Sequence, residues 1–257
     1  MRKIRKILAI VLILIAILGA GLYLWTKADG QDYSKGKTVL WGRYPQKSER
    51  LEPIEWLVLD NDGRQALLIS KFGLDCKPFN NVQKGKAWRD SDLRAWLNGD
   101  FLNKAFTARE LKRIVESEID TLGNPEFGTA GCGKTKDRIF CLSIDEANKY
   151  FGSDIEEESK ALGKIKVNHS RACLPTALAV RRGAKTVSAN KELRDALGII
   201  SDQHEWWFDN CVFWLRSPGH DANYPARVDD IGTVCSRGLS QYGESYAVRP
   251  ALWVKLP

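Results

Sequence analysis

An uninterrupted apolar stretch lies near the start of the chain, directly after six residues rich in Lys and Arg. From Ile7 to Trp25 the sequence runs for 19 residues without a charged residue, a proline or a side-chain amide. An α-helix of this length rises about 28 Å, which nearly spans a hydrocarbon core of about 30 Å. Tyr23 and Trp25 lie at its C-terminal end, where aromatic rings favour the lipid headgroup layer. The stretch therefore predicts a transmembrane helix that contacts the lipid bilayer.

The charges around this stretch predict its orientation. Residues 1–6 carry four Lys and Arg, whereas only Lys27 follows closely on the other side, so residues 1–6 form a cytoplasmic basic flank. We predict a cell-membrane protein with a signal anchor over 7–25, a flexible stalk over 26–37, and one extracytoplasmic globular domain over 38–257. A cleaved signal peptide is the alternative, because small residues occur at Gly19 to Gly21.

The first part of the domain has the composition of β-strands. Three segments are rich in β-branched and aromatic residues: Thr38 to Pro45, Ile54 to Asp60 and Gln65 to Ser70. Between the last two lies Asn61-Asp62-Gly63, whose Asp-Gly step supplies the positive φ that a tight turn needs. We predict a hairpin over 55–70.

The sequence also contains two capping boxes and a further segment with apolar residues at helical spacing. Thr107 with Glu110, and Ser143 with Glu146, match the pattern in which a hydroxyl and a carboxylate satisfy the free amides of a helix N-terminus. The first box precedes Leu111, Ile114 and Val115 at helical spacing, and the second opens a helix to Phe151. A further helix is predicted over 91–98, with Asn98-Gly99 as its stop signal.

The remaining segments alternate short elements with loops. Arg138 to Leu142 is predicted as a strand, the acidic and Lys-rich segment 154–166 as a solvated insertion, and Pro175 to Val180 as a small helix or packed turn. The last 50 residues predict three or four strands, over 212–219, 226–235 and 247–254, with a hairpin around 229–232. The fold class is α+β, with short helices packed on antiparallel sheets and long loops.

Charge excludes one class of partner. The net charge of +7 falls to +3 once the four basic residues in 1–6 are set aside, and the remaining Lys and Arg are scattered. Such a distribution lacks the basic patch of a nucleic-acid-binding protein. We predict no nucleic-acid partner.

A phosphate-loop string occurs in an unsuitable context. Gly128 to Thr135 fits G-x-x-x-x-G-K-[ST]. A working phosphate loop follows a buried strand and opens a helix, but here Gly123-Asn-Pro-Glu-Phe precedes the string and the strand-like 136–141 follows it. We interpret the string as a Gly-rich surface loop and predict no nucleotide ligand.

Cysteine and histidine provide no specific chemical signature. The six Cys permit up to three disulfides with fifteen connectivities in an oxidising compartment, and no C-x-x-C occurs. The three His show neither H-E-x-x-H nor H-x-H spacing, and Ser217 lies outside a G-x-S-x-G elbow. We predict no metal, no cofactor and no catalytic residues.

An ordered set of motifs resembles a known bacterial family. The set includes Trp214-Leu-Arg-Ser-Pro-Gly219, Gly232 and Val248-Arg-Pro-Ala-Leu-Trp-Val254. Earlier blocks agree in order: Pro53 to Leu59, Leu74 to Asn80, Trp88 with Ser91 to Asn98 and Phe101, Ala105-Phe106, Asp137 to Ser143, and Pro175 to Ala177. Together they resemble the DUF6273 family, a domain of unknown function, over Thr38 to Val254.

This resemblance implies a surface or secreted protein of a Gram-positive bacterium. The Trp-rich strands and the closing R-P-A-L-W strand are similar to C-type-lectin-like and sulfatase-modifying-factor-like folds. The sequence lacks the E-P-N or Q-P-D triplet of calcium-dependent lectins, and it lacks the paired His of iron-dependent members of the second group. The resemblance therefore implies a fold without implying either mechanism.

Our first functional hypothesis is a binding module for glycan, cell wall or protein, because binding residues tend to lie on loops of a rigid scaffold. The predicted contacts are Trp206, Trp207, His220, Asp221, Asn223, Tyr224 and Tyr242. Structural roles are predicted for Trp214, Arg216, Ser217, Pro218, Arg249, Pro250 and Trp253, since buried aromatic and Arg side chains usually form core or paired contacts. The alternatives are an enzyme with a Cys nucleophile and a scaffold within a membrane complex.

Overall fold

A computed structural model describes residues 30–81, 85–159, 163–186, 209–221, 224–238 and 245–257. The predicted basic flank and transmembrane helix, residues 1–25, lie outside these ranges. None of the helices within them combines the length and the apolar content that a membrane crossing requires.

The described chain is mostly β-structure with a few short helices. The strands are β1 Thr38–Pro45, β2 Leu51–Asn61, β3 Gln65–Ser70, β4 Asp75–Pro78, β5 Ser117–Thr121, β6 Gly133–Asp137, β7 Ile155–Ser159, β8 Gly163–Val167, β9 Phe213–Pro218, β10 Pro225–Val228, β11 Val234–Cys235, β12 Ser245–Val248 and β13 Ala251–Lys255. The helices are α1 Asp92–Trp96, α2 Leu102–Ala105, α3 Ala108–Leu111, α4 Ile144–Phe151 and α5 Ala177–Arg181. The predicted mixed fold class is confirmed.

The first sheet is antiparallel, in the order β1-β2-β3-β13. The predicted hairpin over 55–70 is confirmed, with Leu57 opposite Ile69. Its turn forms as expected, because Gly63 has a φ of 83° and Asp62 Oδ1 accepts bonds from the amides of Arg64 and Gln65. We call this the N-terminal sheet.

The second sheet has the order β11-β10-β9-β12-β4, in which β12 and β9 run parallel. The hairpin predicted around 229–232 is confirmed as the β10–β11 connection, where the amide of Gly232 donates to Asp229. Gly232 has a φ of 81°, and a Cβ there would lie 1.9 Å from the carbonyl oxygen of Asn168. Only glycine fits this position. We call this the C-terminal sheet.

The predicted strand over 247–254 is wrong as a single element. It is divided at Arg249-Pro250 into β12, which lies in the C-terminal sheet, and β13, which lies in the N-terminal sheet. The amide of Ser70 donates to the Pro250 carbonyl at 2.9 Å, and Arg249 Nε donates to the Ser70 carbonyl. Proline has no amide for a ladder hydrogen bond, so the chain changes sheets here.

The helix predicted over 91–98 does not stop at Asn98-Gly99. Ser91 caps α1, but the chain continues through a π-helical turn, Leu97–Phe101, into α2. Asn98 Nδ2 donates to the Ile139 carbonyl at 2.8 Å, and Asn98 Oδ1 accepts from the amide of Arg138. Tertiary bonds to the Asn side chain thus replace the capping role that the sequence suggested.

Both capping boxes are confirmed, at Thr107 with Glu110 and at Ser143 with Glu146. The first helix is shorter than its apolar spacing predicted and ends at Leu111. Beyond it, Ile114 forms a bridge with Val254 of β13. Backbone bonds from this segment to β13 thus take the place of a second helical turn.

Two other segments differ from prediction. The strand predicted over 138–142 is wrong, since Phe140 forms only an isolated bridge with Ala251 and the regular strand is β6, immediately before it. The segment 154–166, predicted as an insertion without regular structure, contains the hairpin β7–β8. Ion pairs such as Lys164 with Glu156 link its two strands. Because both strands of this exposed hairpin carry charged residues, the composition of the segment resembles that of a solvated insertion.

The buried apolar residues of both sheets form one core, in which Trp56, Trp88 and Trp214 are the largest fully buried side chains. Part of the segment predicted as a stalk packs on this core. Tyr33 is buried, and its carbonyl accepts a bond from Asn61 Nδ2. Residues from position 30 onwards therefore belong structurally to the domain.

Candidate functional site

Three aromatic rings come together at one edge of the C-terminal sheet. The rings of His220 and Tyr224 lie 4.1 Å apart, and those of Phe127 and His220 lie 6.3 Å apart. All three side chains are only partly buried, with His220 about one third exposed. We call Phe127, His220 and Tyr224 the aromatic face.

The loops that carry these rings are fixed by buried polar contacts. Asn124 is almost fully buried, and its Nδ2 donates to the carbonyls of Pro218 and Ser236, at 3.1 and 2.9 Å. A Cβ at Gly219 would lie 2.0 Å from the Tyr224 carbonyl oxygen, so only glycine permits this approach. Close contacts of Asn124 and Gly219 thus fix residues next to those that carry the aromatic face.

Hydrogen bonding orients the imidazole of His220. The backbone amide and Nδ1 of His220 both lie 2.9 Å from the carbonyl oxygen of Arg237. Because a carbonyl only accepts, Nδ1 carries the hydrogen, and Nε2 is turned to the other side, 3.6 Å from the carboxylate of Asp221. Asp221 is about half exposed. The face therefore combines ring surfaces with a carboxylate at its rim.

A narrow cleft adjoins the aromatic face. Its lining includes Pro218, Pro225 and Ala130, which are near neighbours in sequence of His220, Tyr224 and Phe127. Thr121 and Arg216 also line it, and each has a buried polar atom, Oγ1 and Nε respectively, without a partner among the described residues. The space suits a water molecule or a single polar group rather than a ring.

Arg216 is neutralised by Glu146. Its guanidinium makes two contacts with the Glu146 carboxylate and also donates to the carbonyls of Cys141 and Asp120, at 2.9 and 3.1 Å. Next to it, Ser217 Oγ accepts a bond from the amide of Ile144. Both side chains therefore connect β9 to the N-terminus of α4, and the cleft contains no unbalanced cation at this position.

The other residues with predicted structural roles lie in or near the core. Trp214 is buried, and its Nε1 donates to the Lys77 carbonyl at 2.8 Å. Arg249 is also buried; it bonds to the carbonyls of Ser70 and Arg171, and it lies over the rings of Phe151 and Phe213. Trp253 is only partly buried.

The structure describes part of the predicted contact set. It brings His220, Asp221 and Tyr224 together, while Trp206, Trp207, Asn223 and Tyr242 lie outside the described residues. Phe127 was not predicted. Its signal in the sequence is a single aromatic residue inside an otherwise small and polar stretch, Gly123 to Ala130, where no core position is expected.

The phosphate-loop string ends in a strand. Lys134 and Thr135 belong to β6; Lys134 pairs with Glu118 of β5, and Thr135 Oγ1 donates to Asp137 at 2.7 Å. The string therefore does not open a helix. Among the described residues, no group of three His, Cys, Asp or Glu side chains is arranged to hold a metal ion.

The cysteines differ in accessibility. Cys76, Cys141, Cys173 and Cys211 are buried, whereas Cys132 and Cys235 are partly exposed. Burial raises the pKa of Cys76 and of Cys141 to about 12, which makes their thiolates rare at neutral pH. Cys132 lines the cleft, but the described contacts give it no His partner. The described contacts therefore show no Cys–His pair at the cleft.

Comparison with known proteins yields one family. The family model described as "Domain of unknown function (DUF6273)" matches residues 63–256, about three quarters of the chain. The match begins in the turn between β2 and β3 and includes every residue of the aromatic face and the cleft. No curated protein and no solved structure matches the chain.

Proposed function

We propose a binding function for this chain, which belongs to the DUF6273 family: the aromatic face recognises a glycan. The observation that carries the proposal is the contiguous set of three partly exposed rings, on loops that Asn124 and Gly219 hold in place. Aromatic side chains with an apolar face and a polar edge suit ligands that have both kinds of surface.

The neighbouring groups favour a neutral, hydroxyl-rich ligand. Asp221 and Glu126 bring acceptor oxygens to the rim, and Ser236 donates to Glu126 at 2.6 Å. Inside the cleft, Thr121 Oγ1 can exchange a hydrogen bond with a hydroxyl, and Arg216 Nε can donate one. Because Arg216 is already paired with Glu146, an anionic ligand gains little from its charge.

The predicted location agrees with this function. A signal anchor over 7–25 would place the domain outside the cell, where glycans of the cell wall are available. A C-type-lectin-like arrangement is likewise part of the proposal. Both rest on the sequence, and a protease added to intact cells tests the first: digestion of the domain is expected, whereas full protection would place it in the cytoplasm.

A glycan array with the purified full chain tests the binding function. Tyr224→Ala and Phe127→Ala are each expected to lower the apparent affinity about fivefold or more, since stacking of one ring on a flat ligand contributes about 1–3 kcal/mol where it has been measured for bases. Tyr150→Ala is the matched control, because this partly exposed ring lies on α4 near Asp60. Binding that survives both face variants would contradict the placement of the site. No glycan binding at all would favour the scaffold alternative.

A further inference from the structure

Cys173 and Cys211 lie together in the core although 38 positions separate them in the sequence. Their sulfur atoms are 3.7 Å apart, and the residues are 4% and 0% exposed. The other four cysteines also lie among the described residues, and the described contacts include no second pair of cysteine sulfurs. We propose that Cys173 and Cys211 form a structural disulfide in the mature protein.

The main chain already holds the pair at a suitable separation. The amide of Cys211 donates to the Cys173 carbonyl at 2.9 Å, which keeps the two backbones adjacent. A disulfide needs a sulfur separation of about 2.05 Å and Cα atoms roughly 4.4–6.8 Å apart. Small side-chain rotations that move each sulfur by less than about 1 Å are sufficient to close the remaining distance.

The surroundings favour this pairing over other contacts. Gly73 lies against the pair, where a Cβ would be 2.9 Å from Cys211 Sγ, so the two sulfurs are confined. Burial alone would raise the pKa of Cys173, but the hydrogen bond from Cys211 and the charge of Arg249 keep it below its usual value. In the folded domain the thiolate of Cys173 is therefore favoured over that of Cys211.

The bond forms by exchange with an external disulfide, carried by a protein or small-molecule oxidant. The Cys173 thiolate attacks one oxidant sulfur and releases the other as a thiolate. Cys211, after losing its proton, attacks Cys173 Sγ and expels the second oxidant sulfur. Two electrons reduce the oxidant to a dithiol, which takes up the two protons. Because both cysteines are buried in the folded domain, the exchange takes place before folding is complete.

Differential alkylation of the full chain tests the assignment. Cells that produce the complete chain, including residues 1–29, are quenched in acid, denatured, alkylated, and then reduced and alkylated with a second reagent. We expect the second label on Cys173 and Cys211 and the first label on the other four cysteines. The first label on both Cys173 and Cys211, or a bond from either to a different cysteine, overturns the proposal.

A thermal measurement provides the second criterion. A bond that closes a loop of this length should raise the melting temperature by on the order of 10 °C, and reductant should remove that increase. In Cys173→Ala/Cys211→Ala the reductant is expected to have no effect. Cys132→Ala/Cys235→Ala is the matched control, since it removes two partly exposed sulfurs and should keep the full response. If reductant shifts neither the wild-type chain nor this control, the proposal is contradicted.

Discussion

The two large sheets of the domain are built from the chain in different ways. In the N-terminal sheet, β1, β2 and β3 are consecutive and are joined by short turns, and only β13 comes from far along the chain. In the C-terminal sheet, β4 pairs with β12, although β5 to β8, which form two separate hairpins, and β9 to β11 lie between them in sequence. One sheet is local and the other is assembled from distant segments.

This difference determines which contacts stabilise each sheet. The N-terminal sheet buries aliphatic side chains such as Leu68, Leu252 and Val254, so burial of apolar surface stabilises it. The C-terminal sheet also depends on buried polar side chains, with Arg216 on β9 and Asn124 beside it bonding to several segments at once. The same connections carry the aromatic face. The proposed binding site therefore lies on the sheet whose connections are fixed by polar contacts.

The largest expected effect comes from breaking the polar centre of the C-terminal sheet. Arg216→Met should lower the free energy of unfolding by about 3–5 kcal/mol, because it leaves Glu146 and the carbonyls of Cys141 and Asp120 without their donor. Urea denaturation measures the change. The double variant with Glu146→Gln should cost less than the sum of the two single variants. Simple additivity would show that this ion pair is not a unit.

A cavity in the N-terminal sheet should cost somewhat less and should leave binding intact. Leu68 lies on the central strand β3 and is fully buried, so Leu68→Ala is expected to destabilise the domain by about 3 kcal/mol. The denaturant midpoint should fall while the slope of the transition stays the same. Glycan affinity of the folded variant should equal that of the wild type. A large loss of affinity would mean that the two sheets are not functionally separate.

The two hairpin turns, one in each sheet, should respond to pH with opposite signs. In the C-terminal sheet, burial and the neighbouring Asp229 raise the pKa of Asp230 to about 6. The folded state then binds a proton more readily than the unfolded state, so stability falls as the pH rises from about 4 to 6. Asp230→Asn should therefore stabilise the domain at pH 7 by roughly 1–2 kcal/mol, and this gain should vanish near pH 4.

Asp62 in the turn of the N-terminal sheet is the matched control. Hydrogen bonds from the amides of Arg64 and Gln65 lower its pKa, so its stabilising contribution is present above about pH 4 and is lost as the pH falls further. Asp62→Asn should destabilise the domain at neutral pH, and the difference should shrink in acid. Stability curves from pH 3 to pH 8 for both variants measure this. Equal signs would contradict the different environments of the two turns.

The sequence predicted local features better than distant ones. The hairpin over 55–70 and the capping boxes at Thr107 and Ser143 follow from side chains within a few positions of each other, and all three were confirmed. The division of the last strand at Arg249-Pro250 could not be predicted in the same way, because the two halves join different sheets and the contacts that fix the division are to Ser70, 179 positions from Arg249. A pattern of strand-forming residues does not specify which sheet each half joins.

The candidate site shows the same limit. His220, Asp221 and Tyr224 were predicted because they cluster in sequence, but Phe127 reaches them only through the bonds from Asn124 to the segments around Pro218 and Ser236. The acidic hairpin β7–β8 was missed for a different reason. Its cross-strand ion pairs are between residues such as Glu156 and Lys164, whose composition alone is also typical of a solvated loop.

The smallest expected effects come from removing the hydroxyl groups of the two capping boxes. In each box the glutamate also binds a strand. Glu110 accepts a bond from the amide of Gly42 on β1, and Glu146 binds Arg216 on β9. Thr107→Ala and Ser143→Ala should each cost about 1 kcal/mol, measured by urea denaturation. The two cap variants should differ in how strongly their effect on the free energy of unfolding is coupled to that of Arg216→Met. Without Arg216, the Glu146 carboxylate depends on the cap, so Ser143→Ala should couple to Arg216→Met by at least 0.5 kcal/mol, on the order of contacting pairs.

Thr107 shares no partner with Arg216 and caps a helix beside the other sheet, so Thr107→Ala should add to Arg216→Met within about 0.5 kcal/mol. Equal coupling for the two caps would mean that polar contacts extend through the whole core. Coupling confined to Ser143 would instead show that these contacts form a local network around β9. Since the cleft beside the aromatic face contains Arg216, that network would then also be what keeps the proposed binding site in shape.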